Sequence, residues 1–376
     1  MIIGVPKESN RNEHRVGLTP DAAAHLVRLG HTVVVQRDAG LDARFTNDEY
    51  EQAGAKIVYS SEEAHGRADL VTRIGRLTPA DVGLLKPGST VSSFHHLAVA
   101  PKALIQGLAA REITTISYEL IEDGAGSRPI LTPFSEMAGM LALHLAAHYL
   151  RNDAGGKGLL LGNVTGIAPP NVVVLGAGIA GQTAAWHARA WGPQVTVIDT
   201  DMTKLREVAV RCHGEVATVN ANLEPLEKYT EMADVLIGAV LIPGSRAPII
   251  VTRDMVRGMR SGSVIIDLSI DQGGCVETSR PTTLDQPTFV VDDIVHYCVP
   301  NMTASVARTA SKALARAVLP QLESLANCGV RDAVAADPSL AAGVVFYAGV
   351  MAHPQVAAAH GLEAADLQEL LERADA

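Results

Sequence analysis

The stretch Val172-Val173-Val174-Leu175 runs straight into Gly176-Ala177-Gly178-Ile179-Ala180-Gly181, a G-x-G-x-x-G loop opening on the helix-forming run Gln182 to Ala190. These residue types at this spacing suit a pyrophosphate. The first glycine permits the tight turn, the second lets backbone approach the anion, and Gly181 lets helix and strand pack closely. The helix N-terminus then offers amide donors and the positive end of its dipole. About 20 residues on, Asp199 ends a second apolar strand, where a carboxylate can accept hydrogen bonds from a ribose diol. It would repel a 2′-phosphate, and no arginine adjoins it, so the expected cofactor is NAD and not NADP. A glycine-rich turn without a ligand is the bland alternative, and the surrounding strand–loop–helix–strand unit argues against it.

The elements around this loop alternate between strand-like and helix-like almost from end to end, which favours an α/β fold. Ile2 to Val5, His31 to Gln36, Asp69 to Ile74 and Thr90 to Phe94 read as strands of a first unit. Thr19-Pro20-Asp21 carries three helix-start signals in succession. Ser135 to Leu150 reads as a long apolar helix leading to a second unit, followed by a glycine-rich connection from Asp153 to Pro170. The second unit's strands are expected from Asn171, at Val195 to Asp199, Val235 to Ile237, Ser263 to Leu268 and Thr288 to Val291. The helical pattern from Ala304 to Leu325 has no strong nucleotide-domain strand after it, so the chain is expected to return to the first unit. The expected fold class is α/β, with two Rossmann-like doubly wound domains, mostly parallel sheets and a cleft between them. Residues 1–130 and 305–376 would form a discontinuous substrate domain, and 131–304 the NAD-binding domain.

A chain of 376 residues is long for one core, and its 47% apolar and 19% charged content is ordinary for a globular protein. A net charge of −10 without a basic run makes nucleic acid or an anionic membrane an unexpected partner. The longest apolar stretch, Met137 to Leu150, holds His144 and His148 and is too short to span a bilayer. Cys212, Cys275, Cys298 and Cys328 form no C-x-x-C pair or zinc pattern. With no leader pattern at Met1, the expected compartment is the cytoplasm. No metal is expected: His144 and His148 have metal-like spacing but lack the glutamate of a zinc-protease motif, and packing is the simpler reading. Gly155-Gly156-Lys157-Gly158 lacks the hydroxyl residue of a P-loop.

Several segments together resemble the alanine dehydrogenase family, whose fold is shared with the N-terminal part of proton-translocating transhydrogenase. They are M-I-I-G-V-P-K-E at Met1, R-V-G-L-T-P at Arg15, H-H-L-A at His95 and L-T-P-F-S-E-M-A-G at Leu131. They continue with G-A-V-L-I-P-G at Gly238, D-L-S-I-D-Q-G-G-C-V-E-T-S-R-P-T-T at Asp267 and V-H-Y-C-V-P-N-M at Val295. The resemblance covers essentially the whole chain. It implies hydride transfer between nicotinamide and a substrate α-carbon, coupled to ammonia exchange through an imine. The substrate would be a small amino acid or its keto acid.

By the resemblance Arg15 grips the substrate carboxylate, a pairing that suits a planar guanidinium; alone, an arginine in a polar loop would read as solvated surface. His96 matches the catalytic histidine, a residue able to exchange protons in the working range, and His95 is expected outside the site. Taken singly, either would read as a structural histidine. Asp271 matches a second acid/base or anchoring group near the nicotinamide, although an aspartate before Gln-Gly-Gly is otherwise an ordinary turn residue. Asn301 and Met302 match residues that close the site, and Ser135, Val240 and Leu241 match positions lining the cofactor cleft. The family also suggests a homo-oligomer, a hexamer or dimer.

One position departs from the family. Its A-D-L-V-x-K-V-K-E-P segment here reads Ala68-Asp69-Leu70-Val71-Thr72-Arg73-Ile74-Gly75-Arg76-Leu77, so Gly75 stands where the family's substrate-binding lysine would be. Phe94 likewise stands where tyrosine is frequent. Losing a donor that polarises a carbonyl should cost a few kcal/mol of transition-state stabilisation. Either Arg73 or Arg76 takes over, with Arg73 assigned to substrate binding here, or the pocket is re-cut for another amino acid. As further alternatives, the enzyme reduces a preformed imine as opine-type members do, or the chain is a non-catalytic NAD-binding relative.

Overall fold

A computed structural model describes residues 1–222, 225–242 and 246–373. Pro243 and Gly244 of the motif at Gly238, and the last three residues of the expected first domain, lie outside the described residues. The chain opens with β1 (Ile2–Val5), β2 (Thr32–Gln36), β3 (Lys56–Val58), β4 (Leu70–Thr72), β5 (Thr90–Ser93) and β6 (Thr114–Ser117). The helix Thr132–Tyr149 leads to β7 (Asn171–Leu175), β8 (Gln194–Asp199), β9 (Ala217–Asn220), β10 (Val235–Gly238), β11 (Val264–Asp267), β12 (Thr288–Val291) and β13 (Ile294–Tyr297). After the helix Ala307–Cys328 come β14 (Val344–Tyr347) and β15 (Val350–Met351). Two compact units result, Met1–Phe134 with Ala304–Ala376, and Ser135–Thr303.

The first unit holds a sheet in the order β3-β2-β1-β4-β5-β6-β14-β15. Its six early strands pair in parallel, whereas β14 pairs with β6, and β15 with β14, antiparallel. The second unit's order is β9-β8-β7-β10-β11-β13-β12, parallel except for β12. Both contain the doubly wound order 3-2-1-4-5, whose direction reverses beside the first strand of each unit; ligands gather beyond the carboxyl ends of strands there.

β-branched runs make these strands because side chains buried on both faces need no alternation. Val172, Val173 and Val174 of β7 are each at most 1% exposed, as are Val235, Leu236 and Ile237 of β10. Six strands were invisible in the residue pattern: β3, β6, β9, β13, β14 and β15. β3 spans only Lys-Ile-Val, β6 is Thr-Thr-Ile-Ser, and β9 is Ala-Thr-Val-Asn, each rich in polar side chains. β13 carries His296, buried with its Nε2 against the Thr278 hydroxyl at 2.8 Å. Among the helices, Pro20–Arg28 starts one residue after Thr19, and Ala307–Cys328 packs with Ser311 Oγ accepting the Val16 amide at 3.0 Å.

Candidate active site

In the second unit, the glycine loop joins β7 to the helix Ile179–Trp191. A Cβ on Gly176 would lie 2.5 Å from the Ala239 carbonyl oxygen, and one on Gly181 would lie 1.9 Å from the Gly176 carbonyl oxygen. At Gly176, φ is +98°, so both space and conformation require glycine. Gly178 has nothing within 4 Å of its Cβ position, which leaves room for an anion against the loop. Asp199, half-buried at the end of β8, braces the same loop: its Oδ2 accepts the Ala177 amide at 2.6 Å and its Oδ1 the Asp201 amide at 2.8 Å. The open space at Gly178, beside the start of the helix Ile179–Trp191, fits the loop to a dinucleotide.

The neighbouring strand ends supply the remaining candidates of this unit. Val240 follows β10, its amide donating to Ser269 Oγ at 3.0 Å and its carbonyl accepting from that hydroxyl at 2.8 Å; Leu241 beside it is exposed. Asp267 ends β11 and organises the next turn, accepting the amides of Ser269, Cys275 and Val276 at 3.0, 3.1 and 3.3 Å. Asp271 lies in the 3-10 turn Leu268–Gln272 that results. The Asn301 amide donates to its Oδ1 at 3.1 Å, so this pair is brought together. Met302 is buried beside Asn301, and Ser135 is half-buried in the first turn of Thr132–Tyr149. His144, spaced four residues from His148, stacks on Trp191 with rings 5.7 Å apart.

In the first unit the candidates follow β1, β4, β5 and β6, all at the carboxyl edge of one sheet. Arg15 lies between β1 and the first helix, only 3% exposed. Its Nε and Nη2 donate to Glu13, the former at 2.6 Å to Oε1, and its guanidinium lies 5.7 Å from the Phe134 ring centre. Phe134 packs edge-on against Phe94 at 5.0 Å, and Phe94 stacks on the His96 ring at 6.4 Å. Those aromatic contacts link Arg15 to His96. Glu13 occupies part of the fork that a substrate carboxylate would need, so binding there requires exchange or sharing.

Arg73 does not face the substrate region as expected. β4 ends at Thr72, so strand alternation no longer governs its direction. The side chain is 1% exposed, donates from Nη2 to Glu8 Oε2 at 2.8 Å, and lies 3.1 Å from Asp81 Oδ2. Burial opposes its charge, but the carboxylates of Glu8 and Asp81 outweigh that and hold its pKa above the usual arginine range. Glu8 also caps the turn, its Oε1 accepting the amides of Ile74 and Gly75 at 2.7 and 3.1 Å. A Cβ on Gly75 would lie 2.7 Å from Glu8 Oε2. Arg76, by contrast, is exposed.

His95 is buried with Nε2 against the Val91 carbonyl at 3.1 Å. His96 is half-buried and takes a left-handed backbone conformation, φ 48° and ψ 45°. Burial, then the nearby charge of Arg76 and the neighbouring His95, push its pKa down to about 3. The imidazole therefore does not titrate in the working range as expected from its type; here it is neutral.

Glu119, two residues past β6, is a candidate that no sequence motif marked. Its Oε1 accepts the His96 amide at 2.6 Å, and its Oε2 is buried without a hydrogen-bond partner among the described residues. Burial pushes the carboxyl up to about 7 against the opposing pull of the Glu119, His96 and His95 amides and of Arg76. A signal existed only in topology: β5 and β6 are adjacent and register Ser93 with Ser117, so residues just past each meet.

One unit carries a dinucleotide cradle, and the other presents a guanidinium, an imidazole and a carboxyl group at a single sheet edge: this is the make-up of an NAD-dependent oxidoreductase. Comparison with known proteins makes the class specific. Residues 4–138 match the family model "Alanine dehydrogenase/PNT, N-terminal domain", and residues 142–354 its "C-terminal domain" counterpart. The chain belongs to the alanine dehydrogenase/PNT family. It is 42% identical over 371 residues to alanine dehydrogenase of Halomonas elongata, covering 99% of this chain and 100% of that protein. It is 41% identical over 357 residues to alanine dehydrogenase of Mycobacterium tuberculosis, covering 95% and 96%. Among solved structures, an L-alanine dehydrogenase aligns with TM-score 0.90 and 41% identity over 96% of this chain and 99% of that one. A transhydrogenase from Sinorhizobium meliloti aligns at 0.80 and 26% identity, over 94% and 99%.

Proposed function

We propose that the chain catalyses the reversible, NAD-dependent oxidative deamination of a small L-amino acid, alanine first among the candidates, to its keto acid and ammonia. The observation that carries this reading is the near-complete overlap with proteins named alanine dehydrogenase, at 41–42% identity over 95–99% of the chain. Arg15, His96 and Asp271, which fall in or beside the motifs that resemble the family, have side-chain types suited to the reaction.

Arg15 holds the substrate carboxylate through a charge-assisted pair, replacing or sharing Glu13. His96 takes a proton as the amine is converted through the imine to the carbonyl, and returns it in the reverse direction. Asp271, with Asn301, anchors the substrate nitrogen or the amide edge of the cofactor. Ser135, Val240, Leu241 and Met302 line the cofactor's place. Bound NAD supplies the one capacity that these side chains lack, acceptance of a hydride. The chain acts as a cytoplasmic homo-oligomer, and no described helix is long and apolar enough to cross a membrane.

Gly75 supports a second reading, in which the pocket accepts a different amino acid or an imine formed from a keto acid and a second amine. With Arg73 buried against Glu8 and Asp81, the family lysine's work falls in this reading to the exposed Arg76. NAD reduction measured across the common amino acids, alanine first, separates these. Turnover of alanine supports the leading reading. Turnover of pyruvate only with a second amino acid replaces it with the opine-type reaction. Tight NAD binding with no turnover under either regime overturns both. Gly75→Lys is expected to raise alanine activity if the pocket has been re-cut, and an unchanged rate counts against that idea.

A further inference from the structure

We infer that Glu119 is a positioning residue for His96, gripping its backbone so that the imidazole is held in one orientation; this rests on the proposed catalytic role of His96. A non-glycine residue in the left-handed region costs about 1–2 kcal/mol and persists only where its surroundings over-determine it. His96, at φ 48° and ψ 45°, therefore needs a restraint. The tight contact from its own amide is to Glu119 Oε1, at 2.6 Å. On the other side of the residue, its carbonyl accepts the Val99 amide at 3.2 Å and begins the short turn Leu97–Val99.

The fold makes this contact without help from local sequence. β5 and β6 lie side by side in parallel, Ser93 registers with Ser117, and the Tyr118 amide donates to the Ser93 carbonyl at 2.9 Å. His96 and Glu119 thus leave the same sheet edge three and two residues past paired positions. Tyr118 also packs edge-on against Phe94 at 5.5 Å, fixing the ring on which the His96 imidazole stacks. The ring is held by Phe94 from one face, and its backbone by Glu119.

A carboxyl group buried with one oxygen unpartnered is a costly way to satisfy nearby backbone amides. Its retention beside a strained histidine is accounted for if the orientation of that histidine is what it secures. An acceptor at Oε1 is the only requirement, whether the carboxyl is ionised or neutral, so glutamine should replace it and alanine should not.

The test crosses Glu119→Gln and Glu119→Ala with His96→Ala, reading kcat, both KM values, and the ring signals of labelled histidine by NMR. Glu119→Ala should lower kcat by about 10- to 100-fold, the span of a mispositioned catalytic group, with the KM for NAD unchanged. Glu119→Gln should restore it to within about threefold of the wild type. In the His96→Ala background, Glu119→Ala should cost nothing further. The His96 ring signal, identified by its loss in His96→Ala, should move or broaden in Glu119→Ala and stay in place in Glu119→Gln. Glu119→Asp, whose carboxylate is one methylene short of the amide, repeats the alanine arm if that variant does not fold. Full additivity with His96→Ala, or an undisturbed His96 signal in both the alanine and aspartate variants, overturns the inference. The NMR arm needs no turnover, so a wild-type chain that oxidises no amino acid would sink the reaction assigned above while Glu119 is still decided.

Discussion

A buried guanidinium is tolerated where carboxylates stand beside it, and the described residues hold two such sites, with different consequences. At Arg73 the partners Glu8 and Asp81 are themselves buried, so the trio is part of the first unit's interior. Removing the cation leaves two uncompensated carboxylates, and Arg73→Ala should cost about 3–5 kcal/mol of stability, measured by urea unfolding. Arg15 is the contrasting case: Arg15→Lys keeps a charge near Glu13 but loses the planar fork, so the amino-acid KM should rise about tenfold or more with a smaller change in unfolding midpoint. Glu119 predicts a pH effect whose sign is opposite to that of most carboxylates. Its folded pKa, about 7, lies above the ordinary glutamate value of 4.5, so its contribution is fully present below about 4.5 and is lost as pH rises through 7. Glu119→Gln should remove that component: the stability difference between wild type and variant should drift by about 1–3 kcal/mol against the wild type from pH 5 to 8. A constant difference would reject the raised pKa. His96, depressed to about 3, works the other way, its contribution present above the ordinary histidine value and lost as pH falls toward 3.

At the level of elements, the turns after β4 and β7 show how much glycine placement decides. Gly178 faces open space, whereas Gly181 lies against the Gly176 carbonyl. Gly178→Ala should therefore leave the melting temperature almost unchanged and weaken NAD binding about tenfold or more, while Gly181→Ala should lose stability as well; calorimetry on both variants separates the two effects. Gly75 is different again, since the Glu8 carboxylate lies where its Cβ would go and is pinned by two amides. Gly75→Lys does more than add a cation, because it displaces the acid that neutralises Arg73, at about 1–3 kcal/mol. These differences mark the limit of what the residues alone reveal. The strand–loop–helix around Gly176 was legible because its spacing is local and physically demanding, as were the β-branched strands β7, β10 and β11. β6 was hidden because Thr114, Thr115 and Ser117 look polar yet are buried. Arg73 was placed at the substrate because its burial depends on Glu8 and Asp81, distant in sequence, and Glu119 went unnoticed because it meets His96 only through β5–β6 pairing.

Across the whole chain, the two units differ in how they depend on sequence continuity. The unit Ser135–Thr303 is contiguous, and both apolar clusters assigned to it, around β7 and Ile266 and around Val173 and Val256, draw only on its own residues. The other unit is interrupted, and its C-terminal part is structural: β14 covers the β6 edge, and Leu314, Val318, Leu322, Leu325, Val345 and Phe346 are each at most 1% exposed. At about 2 kcal/mol for each such side chain, those six approach the entire net stability of a typical domain, roughly 5–15 kcal/mol. An exposed β6 would also leave an unpaired edge open to aggregation. A fragment of residues 131–303, which retains the helix Thr132–Tyr149, should therefore melt cooperatively and bind NAD, as intrinsic fluorescence or calorimetry would register. Residues 1–134 alone should stay unfolded or aggregate, and adding residues 304–376 as a separate peptide should restore protection of the β6 amides in hydrogen exchange. If 1–134 folded unaided, the tail's burial would be incidental to that core, and the case for one interrupted folding unit would fail.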